Sequence, residues 1–322
     1  MFDQLANVFG TLFPIYAILA LGAWLRRIGF IDAALAKGLN KIVFNVALPC
    51  FVVFSIASAR VAGDWQRSAA ALMGGTLVVF ACAWFLAPAM GISLFSRPSF
   101  CQSAFRSNNA YIGIPVMLFA FHGRPDADAM AAIAMLTLAP CLVIYNVLAV
   151  AILTRTDERD APSRRLLRLL GGMARNPLII SSLVGCLLLA LRVKAGVELP
   201  EPIAKTINTM GAMATPGSIL ALGAALTPEM LKANLRGAHW TALLKLVVAP
   251  LAGLVFATLL ALPPINRFVV VCYLACPSAV ASFVMAQAMD GDADIAGSSV
   301  ALTTIYSIFS LAAVLLLAMP PV

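Results

Sequence analysis

Long apolar segments separated by short polar gaps are the feature that most constrains this chain. A helix needs about 20 mostly apolar residues to cross a bilayer. When the sequence is divided at its charged and Pro- or Gly-containing gaps, ten such segments result. We predict membrane-spanning helices over residues 8–25, 36–57, 69–90, 100–121, 129–153, 177–192, 202–226, 238–260, 267–289 and 295–318. Only 11% of the 322 residues are charged, which is too few for a water-exposed surface and excludes a soluble fold.

Positive charge predicts the orientation of these helices. The longest polar gap, residues 154–176, contains six arginines: Arg155, Arg159, Arg164, Arg165, Arg168 and Arg175. Cytoplasmic loops carry an excess of Lys and Arg, so we place this linker in the cytoplasm and both termini outside. The first apolar segment is not preceded by Lys or Arg, so we expect it to be retained rather than cleaved as a signal peptide. The prediction is a multi-pass protein of the inner (plasma) membrane.

The basic linker divides the chain into two halves, residues 1–153 and 177–322, with five predicted spans each. Because five is odd, the halves would insert with opposite orientation, as an inverted repeat requires. Prolines in corresponding spans of the two halves support this division: Pro49, Pro115, Pro216 and Pro277. We therefore predict an all-α fold of two inverted five-helix repeats.

The fourth and ninth predicted spans carry polar and helix-breaking residues at their centres. These are Arg106, Ser107, Asn108, Asn109, Gly113 and Pro115 in the fourth span and Pro277, Ser278 and Ser282 in the ninth. A proline removes one amide donor and displaces the carbonyl four residues earlier, so we expect both helices to open near the bilayer midplane. The second half-helices would then direct positive dipole ends towards a bound anion. Alternatively, the prolines only kink packed helices whose polar side chains bond their neighbours.

The ionisable side chains inside predicted spans all have the same sign: Lys41, Arg106, Lys205 and Lys245. No Asp or Glu lies well inside a span, and this pattern favours an anionic substrate. The alternative is that long cationic side chains extend to the lipid headgroups. Tyr145 and Asn146, in the fifth span, either complete a polar pocket or anchor the helix at the interface.

Other functional classes lack their sequence features. The seven cysteines lie in apolar stretches and are odd in number, so we expect buried thiols and no disulfide framework. The sequence contains no HExxH, GxSxG, GxGxxG or P-loop motif on a suitable element, so we expect no enzyme, no ATP-driven pump, no cofactor and no metal site. The net charge of +8 is spread over short loops without interleaved aromatic residues, which argues against nucleic acid as a partner.

Several motifs together resemble the auxin efflux carrier family: RSNNAYIGIPV, ARNPLIISSLVG, MATPGSILALG, KLVVAP and CPSAVASFVMAQAMDGD. The short central linker is similar to that of bacterial members, several of which are regarded as carriers of malonate, malate or related organic acids. The resemblance implies that spans four and nine cross at their breaks. It also implies a scaffold of spans 1, 2, 6 and 7, a mobile transport domain of spans 3–5 and 8–10, and a homodimer formed through the scaffold. The site would include Asn108 and Asn109 opposite the turn at Pro277 and Ser278.

The functional expectation is a secondary transporter or facilitator of small organic anions that works by elevator-like alternating access in the lipid bilayer. The absence of a carboxylate deep in any span favours the membrane potential over a protein-borne proton as the driving force. A sodium-coupled organic anion symporter of bile-acid-transporter type is the alternative mechanism. An anion-binding membrane receptor or sensor is the alternative from another class.

Overall fold

In the part of the chain that it describes, the computed structural model consists of helices joined by short connections, and it has no strand, only one isolated backbone bridge. The described residues are 2–58, 64–153, 177–226, 228 and 233–320. The basic linker at 154–176, with its six arginines, lies outside them. The orientation and the division into repeats therefore stay predictions.

Fifteen α-helices and three π-helical segments are described, and they are numbered here in chain order. The α-helices of the first half are α1 Phe2–Arg27, α2 Ala33–Ile42, α3 Leu48–Ala57, α4 Trp65–Leu86, α5 Arg97–Phe105, α6 Ile114–Ala120 and α7 Ala127–Leu153. Those of the second half are α8 Pro177–Ala195, α9 Glu201–Ala212, α10 Ala214–Ala225, α11 Leu235–Leu243, α12 Ala249–Leu259, α13 Pro264–Ala275, α14 Val280–Ala288 and α15 Ala293–Leu317. The π-helical segments are π1 Val43–Ala47, π2 Asn109–Gly113 and π3 Leu244–Val248.

Every predicted span contains α-helix, and the chain is a polytopic membrane protein. Six helical stretches of the described chain are long and apolar enough to cross a bilayer: Val8–Arg27, Ala33–Phe54, Trp65–Leu86, Ala127–Leu153, Leu235–Leu259 and Ala293–Leu317. Two further apolar helices, Asn109–Ala120 and Pro264–Ala275, are shorter because they belong to interrupted spans. The all-helical membrane fold is confirmed, and the inverted repeat of ten spans stays a prediction.

Each π-helical segment ends two residues before a proline, at Pro49, Pro115 and Pro250. A proline cannot donate to the carbonyl four residues earlier, and its ring collides with that carbonyl in a regular α-helix. One widened turn before the proline relieves the collision while the helix continues. The three prolines therefore thicken their helices locally instead of ending them.

The two interrupted spans meet at their breaks. α5 ends at Phe105 and α13 ends at Ala275, and the residues that follow form an antiparallel bridge between Ser107 and Ser278. The Asn108 N–H donates to the Pro277 carbonyl at 2.8 Å, and the Ala279 N–H donates to the Arg106 carbonyl at 2.9 Å. Backbone groups freed by one break are thus satisfied by the other, as burial in a membrane protein requires.

The position of one break differs from the sequence expectation. In the ninth span, Pro277 lies within the break, as expected. In the fourth span the helix opens at Arg106–Asn108, and Pro115 lies further along, in the first turn of α6. The expectation that Pro115 opens the helix was wrong, because π2 absorbs the proline and the extended bridge ends α5 instead.

The helices pack in two groups. In one group, α3 packs on α8 and α9, and α1 packs on α10 so closely that a Cβ on Gly22 or Gly223 would overlap the opposite backbone. In the other group, α11 packs on α15, and α12 packs on α4 and α13. The paired breaks lie beside this second group, because α5 contacts α4 and α15.

The seven cysteines are free thiols in the described chain, as predicted. Four of them are buried: Cys101, Cys141, Cys272 and Cys276. Cys186 is exposed on α8 and the remaining two are half-buried, so the expectation of buried thiols was wrong for these three. An apolar segment faces either lipid or protein, and both surroundings suit a thiol.

Candidate functional site

A cavity of about 220 Å³ lies beside the bridge between the two breaks. Four parts of the chain supply its lining: the fourth-span break with π2, the start of α14, the middle of α7, and the junction of α2 with π1. The lining residues are Asn40, Phe44, Arg106, Ser107, Asn108, Asn109, Ala110, Tyr111, Leu142, Tyr145, Ala279, Val280, Ala281, Val284 and Met285. One wall is polar and the other is apolar. Arg106 is the only charged residue among these described lining residues.

Arg106 follows the end of α5 and has 9% of its surface exposed. Its Nη2 donates to Asn146 Oδ1 at 2.8 Å, and its Nη1 is directed at Met285 Sδ at 2.9 Å. A thioether is a weak acceptor, whereas a carboxylate accepts a charge-assisted bond about twice as strong as a neutral one. The guanidinium is therefore held in place by neutral groups and can bind an anionic oxygen more strongly.

Neighbouring amides in the polar wall have unused hydrogen-bonding groups. Asn108 Nδ2 is buried and makes no hydrogen bond of standard length with the described residues, and the same holds for Nδ2 and Oδ1 of Asn109. The Asn109 side chain does lie beside the Tyr145 hydroxyl and interacts weakly with it. A buried donor without an acceptor costs about 1–3 kcal/mol. These amides are thus available to a ligand in the cavity.

Two tyrosines complete the polar wall. The Tyr145 hydroxyl lies 3.2 Å from Thr76 Oγ1, inside the protein rather than at an interface. The Tyr111 hydroxyl donates to Asn40 Oδ1 at 2.7 Å and so links π2 to α2. Tyr145 was predicted as a pocket residue or an interfacial anchor, and its burial favours the pocket.

The remaining predicted residues lie near the cavity without lining it. Pro277 and Ser278 form the bridge, where Ser278 Oγ donates to the Ser103 carbonyl and the Ser278 N–H donates to Thr303 Oγ1. Ser282 is fully buried in α14, and its hydroxyl has no partner among the described residues.

Gly113 and Pro115 also lie behind the lining, and both are buried. A Cβ on Gly113 would lie 2.9 Å from Tyr273 Cδ1 and 3.0 Å from Cys276 Sγ. Only a glycine therefore allows π2 to pack against the end of α13. Pro115 acts through π2, the widened turn that presents Asn109 and Tyr111 to the cavity.

The cations inside the spans divide into two classes. Lys41 and Lys205 are exposed, which fits extension to the headgroups. Arg106 is buried, and Lys245, with 0% of its surface exposed, donates from Nζ to Ser107 Oγ. The headgroup alternative is wrong for these two, because both side chains are buried and donate to groups inside the protein.

Sequence reasoning missed several lining residues. On α14 they recur at Val280, Ala281, Val284 and Met285, a helical period that could have been counted from the break. No local signal indicates Asn40 or Phe44, because they lie on α2 and π1, which pack on α10 of the first group.

A larger groove of about 780 Å³ runs along α11, α12 and α15. Its described lining is almost wholly apolar and includes the exposed side chains Leu251 and Phe309. Within the described ranges no group of three or more His, Cys, Asp or Glu could hold a metal ion. We therefore place the candidate site in the smaller polar cavity.

A polytopic helical protein with a small polar cavity at paired helix breaks is typical of membrane transport proteins. The family described as "Membrane transport protein" matches residues 7–315, so the chain belongs to that family, the auxin efflux carriers. The chain is also 24% identical over 308 residues to "Uncharacterized transporter MJ1031" of Methanocaldococcus jannaschii, covering 92% of this chain and 95% of that protein. The family consists of transporters rather than enzymes.

Proposed function

We propose that the protein is a secondary transporter or facilitator of small organic anions, either mono- or dicarboxylates. The observation that carries the proposal is the buried Arg106, which reaches the cavity and, within the described residues, donates to the neutral acceptors Asn146 and Met285. A carboxylate that enters the cavity replaces the weak thioether acceptor and supplies the missing negative charge.

The rest of the cavity suits the same ligand. The first turns of π2 and α14 line it, so amide groups at the positive ends of two helices face the ligand. The unpaired amides of Asn108 and Asn109 offer further donors. Phe44, Leu142 and Val284 form the apolar wall, which limits the size of the carbon chain and excludes water.

The proposed mechanism is elevator-like alternating access. The group of α1, α3, α8, α9 and α10 would serve as the fixed scaffold, and the helices around the paired breaks as the moving domain. Each elementary charge moved by a potential of 100 mV contributes about 2.3 kcal/mol, which is enough to drive net flux of an anion. We also propose that the protein lies in the inner membrane with both termini outside, and that it forms a homodimer through the scaffold.

Flux measurements with the full-length protein in proteoliposomes test this function. Radiolabelled malonate is offered at equal pH without sodium, and a potassium-diffusion potential is then imposed. We expect voltage to drive net flux, and unlabelled carboxylates but not malonamide to compete.

The other outcomes would refute part of the proposal or favour one of its alternatives. Equal competition by malonamide would refute anion selectivity, and flux driven only by a pH gradient would refute voltage-driven uniport. Strict dependence on sodium would favour the symporter, and binding of malonate without flux would favour a receptor.

A further inference from the structure

Lys245 is the most unusual charge in the described part of the molecule. It lies in π3, about 15 Å from the start of α11 at 1.5 Å rise per residue, and thus deep within the apolar stretch Leu235–Leu259. Its side chain is fully buried and does not extend to either end of the helix. An intramembrane charge that stays inside the protein usually has a functional role.

No carboxylate of the described helices is placed to compensate this charge. The helices packed against π3 are α4, α5, α11, α12, α13 and α15. The first five contain no Asp or Glu, and the acidic residue of α15 is Asp294 in its first turn. The ion pairs Arg67–Asp64 and Arg124–Asp126 are near the surface and do not involve Lys245.

The ammonium instead donates to Ser107 Oγ, at the bridge between the breaks. Ser107 lies two residues beyond the end of α5, and its bridge partner Ser278 lies three beyond the end of α13. Both helices direct negative dipole ends to this point. Hydroxyl and carbonyl oxygens surround the bridge, since Ser278 contacts the Ser103 carbonyl and Thr303 Oγ1. Unwound backbone and helix C-terminal ends of this kind hold Na⁺ in other transporters.

We propose that Lys245 is a tethered counter-charge that occupies the position a cotransported Na⁺ would need. The fixed ammonium neutralises the negative dipole ends of α5 and α13. The substrate anion binds at the positive helix ends on the cavity side of Ser107. Lys245 is thus a positioning residue that acts through Ser107, and transport proceeds without a coupling cation. This inference rests on the proposed function.

Ion replacement and chemical rescue in proteoliposomes test the inference. Malonate uptake by the wild type is expected to change by less than about twofold when choline replaces Na⁺. Lys245→Ala is expected to reduce uptake about tenfold or more, and external ethylammonium or Na⁺ to restore much of it. Ethanol, which lacks the charge, should restore nothing. Lys245→Met fills the same space without charge, so it should be inactive and not rescued, whereas Lys245→Arg should keep part of the uptake.

Lys205→Ala is the matched control, because Lys205 is an exposed lysine on α9 and its loss should change neither uptake nor cation dependence. Size-exclusion profiles and unfolding temperatures of each variant separate misfolding from lost transport. Three results would each overturn the proposed role of Lys245. They are full uptake by Lys245→Ala, absence of rescue in a folded Lys245→Ala, and sodium dependence of the wild type. If Lys245→Ala does not fold, wild-type uptake by Lys245→Met would overturn it. A wild type that transports no carboxylate would refute the proposed function and the inference together.

Discussion

Replacement of Arg106 by methionine separates a substrate-binding role from a packing role. The substitution keeps a long side chain but removes the one charge among the described residues that line the cavity. It also removes the contacts to Asn146 and Met285. The two roles predict opposite changes in affinity and stability.

The expected loss of affinity follows from the lost hydrogen bonds. A bond to a charged group contributes about 1.5–3 kcal/mol. At 1.4 kcal/mol per tenfold, loss of one such bond to a substrate carboxylate raises Kd about 10- to 150-fold. Arg106→Lys keeps one positive charge, so its Kd should lie between those of the wild type and Arg106→Met. An ammonium cannot bind a carboxylate through two parallel N–H bonds.

The expected change in stability is small. The variant loses a weak bond to sulfur and one bond to the half-buried Asn146, but it no longer buries an unpaired cation. These contributions oppose each other, so we expect the unfolding temperature to stay within about 3 °C of the wild type. Equilibrium binding of radiolabelled malonate and thermal unfolding of the purified protein measure the two quantities.

Arg97→Met provides a matched control at the start of α5, the helix that Arg106 follows. Arg97 donates from Nε to the Trp84 carbonyl at 2.7 Å and stacks 4.5 Å from the Trp84 ring, away from the cavity. Its loss should lower the unfolding temperature and leave Kd unchanged. An unaltered Kd in Arg106→Met, or a collapse of its stability with normal Kd in the folded fraction, would refute the binding role.

Three further predictions concern the neighbourhood of the cavity. Asn109→Ala should weaken malonate binding by about 3- to 30-fold and change the unfolding temperature little, because the side chain loses only a weak contact with the Tyr145 hydroxyl. Unchanged binding would remove Asn109 from the site. Gly113→Ala should cost about 1–3 kcal/mol of stability, because the added Cβ would overpack against Tyr273. Gly38→Ala is the control, because a Cβ there meets open space and should be neutral or stabilising. Equal unfolding temperatures of the two variants would contradict the close packing of Gly113. Pro115→Ala should let π2 return to a regular α-helical turn and so reduce malonate uptake. Pro14→Ala is the control, because Pro14 lies in a helix without a π-helical segment and its loss should leave uptake unchanged. Equal uptake by the two variants would show that π2 does not position the site.

The sequence by itself determined the membrane class and which two spans are interrupted. Apolar length is a local property, so all the predicted spans contain helix, and Pro277 lies in a break as expected. Polar residues at the centre of a span must be solvated by the protein, and this requirement alone predicts that Arg106, Asn108 and Asn109 face its interior.

Tertiary structure alone decided which polar groups meet. The spans are apolar on all sides, so no periodicity indicates that Lys245 points inwards while Lys205 points outwards. The fourth span opens before Pro115 because its backbone pairs with residues about 170 positions later, a contact beyond local propensity. Met285 contacts Arg106 because the same pairing of the two breaks brings α14 beside the end of α5. Side chains that complete a site from distant helices leave no mark in the sequence around them, because only packing brings them together.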